Sequence, residues 1–558
     1  MKKIFFCLFL LSSSHLFSNT KISEIQKYKQ IGLVWGLLKY HHPEISKGKY
    51  DWDSEFVKLV DKAEGVENQE AMNDLLLDFI SRFGTDKLKA KKINSEKIFL
   101  KNLDYAWIDS SVFGDKLTKT LVEIKENGNI NDYYASVNKL AKNISFENEK
   151  GFKDFDYSIK SHRMLLLYSF WNATQYWNVN KYLMDTKWSD NLDSMTKEFL
   201  DCKTDLEFEI IKSNLITKLN DSHSYYGSRT IFSTLYKYKP AFSIKAVNDS
   251  LLIDAVYNKT LAKKDDIELG DIIVKINNKS ISSCLHDKVA PMISVSNSTF
   301  LRRWSPWLFY NDKDSINVDI IKKNGTQLNK YIHLYNTYKK EEPVYLVTPK
   351  KNKWSYIQPD VAYVNLDQIT KKELDSVFKQ ISKTKGLILD LRNYPKNISI
   401  NDLPGFLYPE RKEFIKILAP LPNIPSYGEY AAESPLKLIM DPFKAGQNNP
   451  DYYKGKVILL VNRTTQSNAE FIGMAIQQSP NCITIGEQTA GSVLNIVEYI
   501  MPDKTKADFT GRGAFYPNGE GVQRNGLHID HYVKESAKNY DPELYVKEAI
   551  RLIEKSSI

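Results

Sequence analysis

Three short, almost wholly apolar runs limit what this chain can fold into. They are Val361–Leu366 (VAYVNL), Gly386–Leu391 (GLILDL) and Val457–Val461 (VILLV). Runs this short and continuous read as strands buried on both faces. Helical stretches stand between and after them, at Lys371–Thr384 and Asn468–Gln478, and Ile483–Ile485 supplies a further strand. Strands alternating with helices of this length predict βαβ units and a largely parallel sheet. Residues 341–558 are therefore expected to form an α/β core.

The preceding sequence has other periods. Residues 20–230 read as a helical region: Ile25, Tyr28, Ile31, Val34, Leu37 and Leu38 recur at helical spacing until Pro43, and Met72–Phe83 and Met164–Trp177 repeat the pattern. Residues 231–340 read as a small β-rich module. Phe242–Val247 alternates, Gly270-Asp271 turns into Ile272–Ile276, Asn277-Asn278 turns out of it, and Val318–Ile321 and Tyr331–Leu334 can close the sheet. Residues 1–19 read as a removable leader, with Lys2-Lys3 ahead of the apolar run Ile4–Leu11 and then Ser12-Ser13-Ser14. That run is too short to span a bilayer. The expectation is an exported protein, periplasmic or extracellular, with no membrane span in the mature chain.

Composition excludes several functions. Lys+Arg 77 against Asp+Glu 68 gives a net charge of +9, spread among interleaved acids and bases with no basic stripe, so nucleic acid is not an expected partner. The four Cys fall at no metal-ligand spacing. His41 and His42 are adjacent on a helix, so their side chains diverge by about 100° and chelate poorly. No metal or cofactor is implied.

Chemistry concentrates where VILLV runs into Asn462–Gln466 and a helix opens at Asn468. Ser467 stands at that junction, where unsatisfied N–H groups and the helix dipole converge. Two readings are open for it: a helix cap, or a nucleophile whose oxyanion those N–H groups hold. His223, flanked by Asp221, Ser222 and Ser224, is the candidate base, its alternative being an ordinary loop histidine.

Segments along most of the chain resemble, in the same order, those of the C-terminal-processing, or tail-specific, serine peptidases. Gly386-Leu-Ile-Leu-Asp-Leu-Arg-Asn-Tyr-Pro-Lys396 is similar to their Asp-Leu-Arg-Asn-x-Pro-Gly-Gly segment. Thr464–Ile476 resembles the nucleophile turn and helix, Ile485–Gly491 the next strand and turn, and Gly521–Asp530 the closing segment. Trp35–Pro43 with Phe170-Trp171-Asn172 resembles the N-terminal region of the tricorn-like branch, and residues 242–279 resemble its PDZ domain. The resemblance implies a ClpP/crotonase-like spiral core of ββα units. It also implies peptide or unfolded-protein substrates, Ser467 as nucleophile, His223 as general base and Ser222 as the hydroxyl orienting the imidazole. A Ser–Lys dyad is disfavoured, because Thr489–Val493 contains no Lys.

Two departures stand out. Gln523 occupies the position of the Glu that supports the orienting Ser, with Glu520 the nearest substitute and Glu470 and Glu487 read as helix-surface and turn carboxylates. Lys396-Asn397 replaces the Gly-Gly that turns one N–H toward the oxyanion, leaving Asn468 and Lys396 as candidate donors. These departures keep an alternative open: a catalytically impaired member acting as a peptide- or protein-binding module.

Overall fold

A computed structural model of the chain describes residues 21–84, 98–126, 131–138, 142–347, 352–422, 424–430 and 441–555. The expected leader, with Cys7, lies outside the described residues.

The first part of the chain is helical: α1 (Glu24–His41), α2 (Trp52–Ala63), α3 (Gln69–Ser81), α4 (Ser110–Glu126), α5 (Lys160–Trp177), α6 (Leu192–Asp201) and α7 (Asp205–Thr217). A capping box between Ser23 and Gln26 starts α1, and the chain leaves it just before Pro43. Helices α1 and α5 approach closely. A Cβ on Gly32 would fall 2.0 Å from the Tyr168 ring, and one on Gly36 would fall 1.9 Å from the Asn172 amide. The Asn172 Nδ2 donates to Gly32 O at 3.0 Å across this contact. The Trp35–Gly36 and Asn172 positions thus carry a packing constraint. On the other side of α1, Trp35 and Trp52 stack with ring centroids 6.2 Å apart, and each indole N–H donates to the other's carbonyl.

The middle of the chain is an antiparallel sheet in the order β1 (Phe242–Val247), β2 (Ser250–Val256), β3 (Ile272–Ile276), β4 (Ser315–Ile321) and β5 (Gln327–His333). Asn277 and Asn278, at φ 48° and 64°, make the tight turn after β3. The strand expected at Tyr331–Leu334 begins earlier, at Gln327, because its polar first half is exposed and carries no burial signal.

The core sheet runs β6 (Trp354–Gln358), β7 (Val361–Asn365), β8 (Gly386–Asp390), β9 (Lys456–Val461), β10 (Cys482–Gly486) and β13 (His531–Tyr532). All neighbours are parallel except β6 with β7. Every residue of β7 and β8 is buried. Helices α8 (Lys371–Ile381), α9 (Asn468–Ile476) and α10 (Leu544–Glu554) cover the sheet.

Between β10 and β13 a hairpin, β11 (Ile496–Ile500) with β12 (Lys506–Thr510), leaves the core. Its Val497, Tyr499, Ala507 and Phe509 enter the hydrophobic core of the helical region. This excursion locks the first and last parts of the chain together and carries Thr510 to the loop after α7.

The Gly36 contact is testable. Gly→Ala in a helix gains about 1 kcal/mol of propensity, but a Cβ 1.9 Å from Asn172 must displace that side chain and its bond to Gly32, and overpacking costs about 1–3 kcal/mol. G36A is expected to unfold at lower urea concentration than wild type, whereas a midpoint equal or higher would show that α1 and α5 can separate freely.

Candidate active site

Ser467 joins β9 to α9 with φ 57° and ψ −119°. A residue acting only as a cap has extended backbone, and this conformation costs a non-glycine residue about 1–3 kcal/mol. Ser467 nevertheless stands at the N-cap of α9 and forms a capping box with Glu470, so the strained backbone is held in place by its surroundings. The turn is held from both sides. Thr464 and Thr465 donate their hydroxyls to Arg392 O (2.5 Å) and Leu391 O (2.9 Å). Ser467 N–H donates to Ser492 O at 3.0 Å, and Ala490 N–H to Thr465 O at 3.0 Å.

Glu470 is the centre of that clamp and corrects its reading as a helix-surface residue. It is fully buried. Its carboxylate accepts from the Thr489 hydroxyl (2.5 Å) and from the N–H groups of Gly491 (2.8 Å), Ser492 (3.0 Å) and Ser467 (3.3 Å). Burial pushes this carboxyl up to about 7, against the pull of those donors. Gly491 is needed here: at φ 65° a Cβ would lie 2.7 Å from the Arg524 backbone. Glu487 belongs to the turn, as expected, with its oxygens 2.7 and 2.8 Å from the Arg463 guanidinium.

The second half of the site is the loop after α7. Asp221 is buried, and its carboxylate collects five donors from four parts of the chain. Oδ1 accepts from His223 N (3.0 Å), Ser492 Oγ (2.8 Å), Thr510 Oγ1 (2.9 Å) and Gln523 Nε2 (3.2 Å), and Oδ2 accepts from Thr510 N at 2.6 Å. A carboxylate only accepts, so the Thr510 hydroxyl points its hydrogen at Asp221. It must then accept from His223 Nδ1, 2.9 Å away. The proton of the neutral imidazole is thereby fixed on Nδ1, and the lone pair lies on Nε2. That nitrogen is buried and has no hydrogen-bond partner among the described residues. Burial lowers the His223 pKa below its ordinary value of 6.5, opposed by the nearby Asp221 charge.

The orienting hydroxyl is therefore Thr510, a correction to the role expected for Ser222. The Ser222 hydroxyl donates to Ala490 O (3.1 Å) and accepts from Ser296 N–H (2.9 Å), while its carbonyl accepts from Gln466 Nε2 at 2.8 Å. Ser222 ties the loop to the nucleophile turn and leaves the ring to Thr510. Gln523, at the position the resemblance gives to the support of Ser222, instead donates to Asp221. Ser467 and the His223 loop both bond Ser492 of the 489–492 loop, with no hydrogen bond between His223 Nε2 and Ser467 Oγ.

Asn468 opens α9, so its N–H has no acceptor within the helix. Lys396 is exposed, and its ammonium lies 3.4 Å from Asp367. Neither Lys396 nor Asn397 takes the positive φ that a Gly-Gly pair permits. Buried Asp390 pairs with half-buried Arg392 at 2.9 and 2.6 Å, and Tyr363 donates to the same carboxylate. Burial pushes Asp390 upward, but Arg392 outweighs it and holds the carboxyl low. His41 and His42 lie away from this site, on Leu37 O and Gly84 O.

Sequence reasoning assigned no role to Asp221, Glu470, Ser492 or Thr510. The alternation at 496–500 and 506–510 could have revealed the hairpin. Nothing in the sequence marks Thr510 as its functional end.

The profile of Peptidase family S41 matches residues 425–533. The match includes Ser467, Glu470, Ser492, Thr510 and Gln523 and leaves out Asp221 and His223. Among solved structures, mature CPAF aligns with a TM-score of 0.53 at 10% identity, over 69% of this chain and 95% of its own. Mature CPAF complexed with lactacystin aligns at 0.52 and 11% identity, over 70% and 97%. At this identity the likeness is one of fold, a mixed α/β arrangement of helices and several sheets. The photosystem II D1 C-terminal processing protease aligns at 0.38 and 17%, over 70% and 97%. No curated protein matches the chain.

The strain at Ser467 predicts a difference between two truncations. Gly adopts this backbone without penalty but loses roughly 0.5–1 kcal/mol more chain entropy than Ala on folding. Relief of about 1–3 kcal/mol exceeds that loss. S467G should therefore melt above S467A in a thermal scan, and the reverse order would show an unstrained turn.

Proposed function

We propose that this chain, which belongs to peptidase family S41, is a serine hydrolase that cleaves peptides or unfolded proteins through Ser467 and His223. The observation that carries this reading is the Asp221–Thr510–His223 relay, which holds the imidazole in the tautomer a general base requires. His223 Nε2 would take the Ser467 proton as Oγ attacks the scissile carbonyl. The charge then formed on the ring is supported through Thr510 by the buried Asp221 carboxylate. The Asn468 N–H is suited to receive the oxyanion, and Lys396 N–H is the second candidate. His223 returns the proton to the leaving amine, and water, activated by the same nitrogen, resolves the acyl-enzyme. Catalytic hydrogen bonds are often open without substrate, so a gap between Nε2 and Ser467 fits a site that closes on binding.

Within this proposal the chain divides into a helical region (20–230) carrying the base, a PDZ-like module (231–340) and a catalytic core (341–558). The leader-like start, Lys2-Lys3 with Ile4–Leu11, supports export. The rival reading, a binding module without turnover, draws on the ordinary φ of Lys396 and Asn397.

A fluorophosphonate probe separates the two readings. Labelling of Ser467, detected by peptide mass spectrometry and lost in H223A, is the expected result. A folded protein with no adduct and no casein cleavage would sink the catalytic reading.

The relay also predicts pH behaviour. Because burial depresses His223, the acid limb of kcat/KM should fall below pH 6.5. Asp221 opposes that depression, so D221N should move the limb further toward acid while slowing the reaction. T510V, which removes the Nδ1 acceptor, should lower kcat/KM by about 10²-fold, within the usual range for a positioned base. Unchanged limbs and rates in both variants would remove the relay from the mechanism.

A further inference from the structure

Arg303 stands beside the nucleophile turn with most of its donors unused. Its Nη1 donates to Gln466 Oε1 at 3.1 Å, and the other end of that amide holds Ser222 O. One side chain therefore separates the guanidinium from both Ser467 and the His223 loop. Arg392, Arg463 and Arg524 each pair with a carboxylate, and Arg163 donates to four carbonyls. Arg303 is exposed and has no carboxylate partner among the described residues. A guanidinium offers five N–H donors, and one bond to a neutral amide leaves four.

Its surroundings are aromatic. The guanidinium lies 5.5 Å from the Phe300 ring centroid. The neighbouring Trp304 stacks on Tyr225, two residues past His223, with centroids 6.2 Å apart and planes 9° from parallel. Tyr225 is 42% exposed, and the Trp304 indole N–H is buried with no partner among the described residues. The pair makes a flat apolar face on the loop that carries His223.

Resting on the catalytic reading above, we propose that Arg303, held beside the nucleophile turn by Gln466, forms a subsite for a carboxylate of the peptide substrate. The position next to Gln466 places it within about three residues of the scissile bond, at roughly 3.3–3.6 Å per extended residue. Two groups carry this chemistry: an acidic side chain, and the free end of a short peptide. The guanidinium presents paired N–H groups to either, in the fork that matches a carboxylate.

The test uses purified protein carrying S467A, which binds without turnover, and fluorescein-labelled decapeptides of Ala, Ser and Leu. A single Glu is scanned through the sequence against Gln counterparts, and each peptide is made as free acid and as amide. Anisotropy should show one Glu register binding about fivefold or more tighter than its Gln counterpart, a modest share of the tenfold expected per 1.4 kcal/mol. R303Q should abolish the preference and R303E should turn it toward Lys, while R302Q, which removes the same charge one residue away, should retain it. A preference confined to free acid over amide, also lost in R303Q, would support the subsite with the chain end as its source. Binding indifferent to Glu, to the free end and to Arg303, or no binding of any peptide, would overturn the subsite. The Ser467 protein reads catalysis separately. Cleavage without charge preference would sink the subsite alone, and charge-dependent binding with neither cleavage nor a fluorophosphonate adduct would sink the catalytic reading alone.

Discussion

The Asp221 carboxylate is the constraint on which the rest of the site depends. Its donors come from its own loop, the 489–492 turn, the end of the β11–β12 hairpin and the closing segment. A buried carboxylate is tolerated only when such donors surround it, so removing any one segment leaves a costly charge behind. The ion therefore acts as a keystone between the helical region and the core. Its chemical effect follows from the same geometry: because Asp221 accepts from Thr510, Thr510 must accept from His223 Nδ1, and the unprotonated Nε2 is defined without a contact to Ser467.

The parts of this structure legible in the sequence are local. Apolar runs specify β7, β8 and β9, and the VILLV-to-helix junction exposes Ser467 as a point where chain direction and helix dipole meet. The relay was hidden because it joins residues 221 and 510, and no period or motif reports a contact across that separation. Ser222 drew attention because it adjoins His223, yet neighbours along an irregular loop face different ways. Asp221 curls back onto the His223 N–H as an Asx turn, which sends the Ser222 hydroxyl toward Ala490 and Ser296. Glu470 misled for a related reason. A glutamate in a first helical turn usually caps a solvated terminus, whereas here the 489–492 loop closes over it and supplies backbone donors.

Strain and clamp belong together at Ser467. A positive-φ serine persists only when its surroundings over-determine it. The Thr464 and Thr465 hydroxyls hold the turn on the strand side, and Glu470 with the Ser492 carbonyl holds it on the helix side. The same 489–492 loop contacts Ser222 through Ala490 and Asp221 through Ser492. Ser467 and His223 are thus held against one loop, Ser467 by its N–H on the Ser492 carbonyl and the His223 loop by side-chain bonds of Ser222 and Asp221.

Gln523 shows how the departure from the resembling family fits this arrangement. A glutamate at that position would set a second carboxylate 3.2 Å or so from Asp221 in a buried site, using the Gln523 amide distance as the measure. Two like charges that close cannot both ionise, and one would be forced to bind a proton. An amide avoids the conflict by turning its N–H to Asp221, at the cost of leaving Oε1 buried without a partner among the described residues. A neutral Gln523 is therefore compatible with a charged Asp221 in the same buried site. In this chain the buried carboxylate that reaches His223 through the Thr510 hydroxyl is Asp221.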